Sequence, residues 1–136
     1  MTGTNRLFFI TLCSVGLFTL SACAPAEGCL VNAKTQFEMN QCAKQQAITT
    51  DTELKSVYQK LSEKTDAEGQ VRLQTAQEAW VTYRTKECKF KNRRTADGSV
   101  HPMVISYCYT NMTQERIKTL QAQLDCEEGH LACTKQ

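Results

Sequence analysis

Ala76-Gln77-Glu78-Ala79-Trp80-Val81-Thr82-Tyr83-Arg84-Thr85-Lys86-Glu87-Cys88 is the stretch on which the reading of the chain turns. Wound on a helix, it sorts by side. Leu73, Ala76, Trp80 and Tyr83 fall on one side; Gln74, Glu78, Thr82, Thr85 and Lys86 fall on the other. Arg84 and Glu87 break the sort, because they land beside Trp80 on the apolar side. A charge there must be paired or must reach water, since an unpaired buried charge is strongly unfavourable. The stretch therefore predicts a core with one large aromatic residue, an internal arginine–carboxylate network and a cysteine at the helix end. Such a network either fixes helix packing or marks a binding or acid–base site, and packing is the commoner role.

Working outward, Thr35-Gln36-Phe37-Glu38 has the form of a capping box and opens a first helix. Met39, Ala43, Ala47, Leu54, Val57, Tyr58 and Leu61 continue one apolar stripe with no proline or glycine to interrupt it. The spacing predicts a helix from Thr35 to near Lys64, about 45 Å long. Asp51 lies at the edge of the stripe, placed either to face Arg84 or Arg116 or to stand in solvent. Asp66-Ala67-Glu68-Gly69 reads as the turn into a second helix from about Glu68 to Phe90, and so short a connection implies antiparallel neighbours. That arrangement places Arg84 and Cys88 near the start of the first helix, around Glu38 and Cys42.

A polar connection follows, with Asp97-Gly98 as a turn signal and Pro102 as a breaker. With its approach it is basic: Lys86, Lys89, Lys91, Arg93 and Arg94 stand against Glu87. It is either a solvated loop or a contact for an anionic surface, with Ser99 and His101 as further candidate contact residues. A third helix is predicted from about Met103 to Leu124. Arg116 lies in line with its first apolar patch, Ile105, Cys108, Tyr109 and Met112, and so points inward. Arg84 and Arg116, with Glu87 and with Asp51 or Glu38, make up the expected polar network. The fold class is therefore all-α, an antiparallel three-helix bundle.

Residues 1–22 read as a leader rather than as part of the fold. Arg6 precedes a mostly apolar run from Leu7 to Leu20, too short to cross a bilayer and suited to a signal peptide. Leu20-Ser21-Ala22-Cys23 resembles a lipoprotein processing site, with Cys23 as the lipid-bearing residue. Cleavage after Ala24 instead would set Pro25 against the scissile bond. By analogy with lipoprotein sorting, Ala24 in place of an aspartate points to an outer membrane, with the domain facing the periplasm. Residues 23–34 then form the lipidated terminus and a tether, and residues 35–136 the helical domain.

Of eight cysteines, Cys13 leaves with the leader and Cys23 carries lipid. Cys29, Cys42, Cys88, Cys108, Cys126 and Cys133 remain, and an even number in an exported chain reads as a disulfide framework. The sequence does not choose among the possible connectivities. Sequential pairing, Cys29–Cys42, Cys88–Cys108 and Cys126–Cys133, is the expectation, because each bridge closes a short loop beside a helix end. No Cys-x-x-Cys pair exists, and His101 and His130 lack ligand spacing with the cysteines, so neither a metal site nor another cofactor is expected. The near-neutral balance, +2 for the whole chain, argues against a nucleic-acid binder. The thiols are expected in disulfides and no acid orients either histidine, so no catalytic residue is assigned.

Several motifs together carry a resemblance. They are Thr35-Gln36-x-Glu38-Met39-Asn40-x-Cys42-Ala43, Asp51-x-Glu53-Leu54-x-x-x-Tyr58, Ala76-Gln77-x-Ala79-Trp80-x-x-Tyr83-Arg84-x-x-Glu87-Cys88, Gly98-Ser99-x-x-Pro102-Met103, Cys108 and Thr113-x-x-Arg116-x-x-x-Leu120. In this order they resemble the LprI-type lysozyme-inhibitor family, over nearly all of Cys29 to Leu124. The resemblance implies an exported, disulfide-bonded, all-α domain, often on a bacterial lipoprotein, with lysozyme as a partner and no catalysis. Two departures stand out: Thr85 replaces the aspartate that commonly follows the family's arginine, and Cys126 and Cys133 lie outside the pattern. An inhibitor of this kind would occlude the enzyme's cleft as a rigid body, its disulfides lowering the ordering cost of binding. The alternative is an envelope adaptor lipoprotein that binds anionic envelope components or a protein through residues 86–94. The oligomeric state is left open.

Overall fold

The computed structural model describes residues 26–126 and Cys133. The regular elements among them are helices: α1 (Ala26–Asn32), α2 (Gln36–Glu63), α3 (Ala67–Lys91) and α4 (His101–Leu124), with a single 3-10 turn at Arg93–Thr95. The long helices α2, α3 and α4 are the three rods of the predicted bundle, and disulfides staple it. The capping box forms at the start of α2. Thr35 is extended and its hydroxyl accepts from the Glu38 amide at 3.2 Å, while the Glu38 carboxylate accepts from the amides of Thr35 (3.0 Å) and Lys34 (2.7 Å). Asp66 caps α3 by accepting from the Gly69 amide at 2.7 Å. Pro102, expected to break the chain, instead sits in the first turn of α4, where its missing N–H leaves no helical bond unmade.

Two kinds of packing join α2 to α4. Toward the α2–α3 turn, Leu54, Val57 and Leu61 meet Leu120 and Leu124, with Tyr58, Leu73, Trp80 and Ile117 packed around them. Toward the other end, buried Ala43 and Thr50 on α2 and Ser106, Thr110 and Thr113 on α4 are small. Small side chains let these two backbones approach more closely than any other pair of long helices in the molecule. Most of the buried hydroxyls are satisfied within their own helix: Thr50 donates to the Gln46 carbonyl, Ser106 to Pro102 and Thr110 to Ser106.

Helix α3 stands further off. Its one fully enclosed residue is Cys88, and Val71, Val81, Tyr83 and Phe90 are exposed. Tyr83 was expected on the apolar side, yet it is 55 % exposed. The residues that bury on α3 lie on an arc through Leu73, Gln77, Trp80, Arg84 and Cys88. Tyr83 is one position away from that arc, on a side that no neighbouring helix covers.

The sequence assigns residues 23–34 to a tether, but α1 occupies most of that span. A seven-residue helix containing Gly28 is not stable by propensity alone. Here the Cys29–Cys42 bridge fixes it to α2, and Asn32 Nδ2 donates to the Gly28 carbonyl at 2.7 Å. The other bridges are Cys88–Cys108, joining α3 to α4, and Cys126–Cys133 beyond α4, each with 5.7 Å between Cα atoms. Cys13, Cys23 and His130, like all of residues 1–25, lie outside the described residues.

Candidate functional site

Asp51 projects from the middle of α2, Arg84 from α3 and Thr113 from α4, and the three meet. Arg84 Nη1 donates to Asp51 Oδ1 at 2.5 Å and to Thr113 Oγ1 at 2.6 Å. Thr113 Oγ1 in turn donates to Asp51 Oδ1 at 3.2 Å. The guanidinium carbon lies 5.0 Å from the ring centroids of both Trp80 and Tyr109. Cation–π attraction therefore adds to the ion pair. The Arg84 side chain is 11 % exposed and that of Asp51 is 47 % exposed. One partner is thus enclosed while the other keeps contact with water, which limits the desolvation cost of the pair.

Arg116 approaches Trp80 as well, its guanidinium carbon 5.8 Å from the ring, and its Nε donates to Gln77 Oε1 at 3.0 Å. Burial pushes its pKa below the ordinary arginine value. The inward arginines are therefore held by Asp51, Thr113 and Gln77. Glu38 and Glu87 lie outside this network. Glu38 is engaged in the α2 cap, where backbone amides of Lys34 and Thr35 and the Thr35 hydroxyl hold its carboxyl below the usual range. Glu87 pairs with Lys91 one turn on, at 3.0 Å. In both cases a partner within one helical turn is reached without any tertiary alignment.

Thr85 stands where the family resemblance leads one to expect an aspartate. Its hydroxyl donates to the Val81 carbonyl at 2.9 Å and so does not reach the arginine. Arg84 Nε is buried and has no hydrogen-bond partner among the described residues. Thr113, Gln77 and Tyr109 received no polar role from sequence. Thr113 and Gln77 do occur in the motifs that carry the resemblance, and Tyr109 in the inward line of α4.

Beside this cluster, Asp51, Tyr58, Gln77, Trp80, Val81 and Arg84 line a groove of about 250 Å³ between α2 and α3. A second groove, about 290 Å³, runs on the other flank of α3 between Leu61, Gly69, Arg72, Leu73, Arg116 and Leu120. Of the proposed contact residues, Lys89 and Lys91 at the end of α3 and Arg93, Arg94 and Ser99 on the α3–α4 connection are exposed. Arg93 lies over the Phe90 ring at 5.1 Å, and Lys91 is the partner of Glu87. The Ser99 carbonyl accepts from Asn40 Nδ2 at 2.9 Å, and His101 Nδ1 is 3.0 Å from Thr95 Oγ1. The connection is thereby tied both to α2 and to itself. All six described cysteines are in disulfides. The assembly is thus a clamp of charge, hydroxyl and aromatic rings across three helices, bordered by shallow apolar grooves.

A family model described as lysozyme inhibitor LprI matches residues 27–120, which span all four helices but the first residue of α1 and the last turn of α4. The chain is 29 % identical over 110 residues to an uncharacterized protein from Rhizobium meliloti (strain 1021), covering 71 % of this chain and 79 % of that relative. No solved structure matches.

Proposed function

Since the chain belongs to the LprI lysozyme-inhibitor family, we propose that it is an exported lipoprotein, acylated at Cys23 and held at the outer membrane facing the periplasm, that inhibits lysozyme by occlusion. The family match over residues 27–120 carries the lysozyme reading. The leader-like segment 1–22 and the disulfide pairs support export. A body stapled by sulfur and clamped through Arg84 loses little freedom on binding, which favours a plug over a reacting group.

The face we assign to lysozyme is the α2–α3 flank. Ile48 and Val81 are exposed there beside the groove, with Asp51, Lys55 and Glu78 around them. An apolar centre with a polar rim of both signs is the anatomy of a protein-binding surface. The test is turnover of cell-wall substrate by lysozymes of several classes, titrated with oxidised protein. Inhibition of at least one class is expected, and Val81→Glu should weaken it at least tenfold. Full lysozyme activity at saturating protein in every class would reject the reading.

A further inference from the structure

We propose that the end of the bundle holding α1 is a docking face for an anionic phospholipid bilayer. The orientation this gives rests on acylation at Cys23, as proposed above; the affinity for the surface does not.

Four links gather one end of the molecule. Cys29–Cys42 holds α1 to the second turn of α2, and Cys88–Cys108 holds the end of α3 to the early turns of α4. Asn40 donates to the Ser99 carbonyl, and Gln36 Nε2 lies 3.7 Å from Met103 Sδ. At this end three large apolar side chains face solvent: Val31 (85 %), Phe37 (69 %) and Phe90 (63 %). Around them the charge is positive on balance. Residues 26–40 and 86–101 hold six cations, Lys34, Lys86, Lys89, Lys91, Arg93 and Arg94, against the four acids Glu27, Glu38, Glu87 and Asp97. The opposite end, residues 60–72 and 115–126, is balanced, with five of each sign.

Exposed aromatic rings interleaved with arginine and lysine suit the boundary between headgroups and acyl chains. Arg93 over the Phe90 ring already holds a cation beside an apolar group that would enter that boundary. Chain length supplies the second argument. Cys23 precedes α1 by three residues, which reach about 11 Å at most when extended. An acyl group there keeps this end within roughly a Debye length of the surface, where each basic residue adds about fivefold to partitioning onto anionic lipid. Several individually weak contacts then act together at high effective concentration.

The test has two arms. In the first, the acylated chain is placed in vesicles whose acyl chains are brominated, with and without phosphatidylglycerol in phosphatidylcholine. Phe37→Trp, Phe90→Trp and Val71→Trp are compared against the common Trp80 background, with circular dichroism to confirm folding. In anionic vesicles the first two should gain at least twice the bromine quenching of Val71→Trp, which lies near the balanced end. Equal quenching at all three would overturn the proposal. In the second arm, residues 23–136 without lipid are co-sedimented with the same vesicles. Lys89→Glu/Arg93→Glu/Arg94→Glu should lower partitioning onto the anionic vesicles at least tenfold, and an unchanged partition would overturn the face. A mass spectrum lacking an acyl group on Cys23 would refute the anchor and the orientation, while the second arm still decides the face.

Discussion

Thr113→Val is the sharpest perturbation of the Arg84 clamp. The side chain is fully buried and keeps nearly its shape as valine, so the change removes a hydroxyl and little else. That hydroxyl accepts from the Arg84 guanidinium at 2.6 Å and donates to Asp51 at 3.2 Å. Hydrogen bonds to charged groups contribute about 1.5–3 kcal/mol. Arg84 keeps its carboxylate in the variant, so we place the loss at about 2 kcal/mol. In a domain of this size that lowers Tm by roughly 8–16 °C. Asp51→Asn should cost less, about 1 kcal/mol, because its carboxylate is nearly half exposed and water shares the interaction. The two residues share one guanidinium, so the double variant should depart from additivity by about 0.5–1 kcal/mol. Urea unfolding of oxidised protein, followed by circular dichroism and by Trp80 fluorescence, measures all three. A Thr113→Val variant within about 0.5 kcal/mol of the parent, with additive effects, would show that the three helices are not held through this cluster.

Three further outcomes can be checked. Gly69→Ala should destabilise by about 1–2 kcal/mol, although alanine is the better helix former by about 1 kcal/mol. A Cβ at Gly69 meets the Thr65 methyl and lies 2.9 Å from the Asp66 capping oxygen, and a stabilising result in thermal melts would contradict that crowding. Glu38 has a folded-state pKa lowered from the ordinary 4.5, so its contribution is present above that value and is lost as pH falls through the folded pKa. Below about pH 4.5, Glu38→Gln should therefore show a flatter stability profile than the parent; parallel profiles from pH 6 to 2 would remove the cap from the account. Replacing Cys88 and Cys108 together with alanine opens a 20-residue separation and should cost about 3 kcal/mol. Hydrogen exchange should then quicken mainly in α3, and equal loss of protection in α2 and α4 would mean that the bridge holds the whole core instead.

The long helices were legible because their signals are local. The Thr35–Glu38 box, the unbroken stripe from Met39 to Leu61 and the Asp66–Gly69 turn each act within a few residues and agree with one another. Asp51 as a partner for Arg84 was within reach from the stripe edge alone; the antiparallel order had set Arg84 around Glu38 and Cys42, whereas it meets the middle of α2. The short α1 was not legible, because it depends on a covalent tie to α2 rather than on its own propensity. Tyr83 was misplaced for a related reason. Periodicity says which residues share a side, but only the packed neighbours say how wide the buried arc is. Glu38 shows two local readings in competition, cap and internal network, and the nearer partner wins. Thr113 stood in one of the family motifs but carried no physical signal of its role: a threonine in a helix looks alike whether it faces water or an arginine.

Helix α3 is the least enclosed of the three rods, yet both grooves and the central arginine depend on it. Its hold on the rest comes from a few strong points: the Asp66 cap, Trp80 against the leucine cluster, the Arg84 clamp and the Cys88–Cys108 bridge. Broad apolar burial would have covered the helix; point fastening leaves Val71, Val81 and Tyr83 outside. Surface left open in this way is available to a partner, and covalent and ionic fixing keeps it from yielding when the partner presses on it. The same fastening holds the charged end together, α1 to α2 through Cys29–Cys42 and α3 to α4 through Cys88–Cys108. If that end lies on the bilayer, the α2–α3 flank stands upright on it, side-on to whatever approaches along the membrane. Lysozyme would then be met by the length of the groove and not by the tip of the bundle, and Val81→Glu should impair inhibition far more than a substitution at Glu68 in the distal turn.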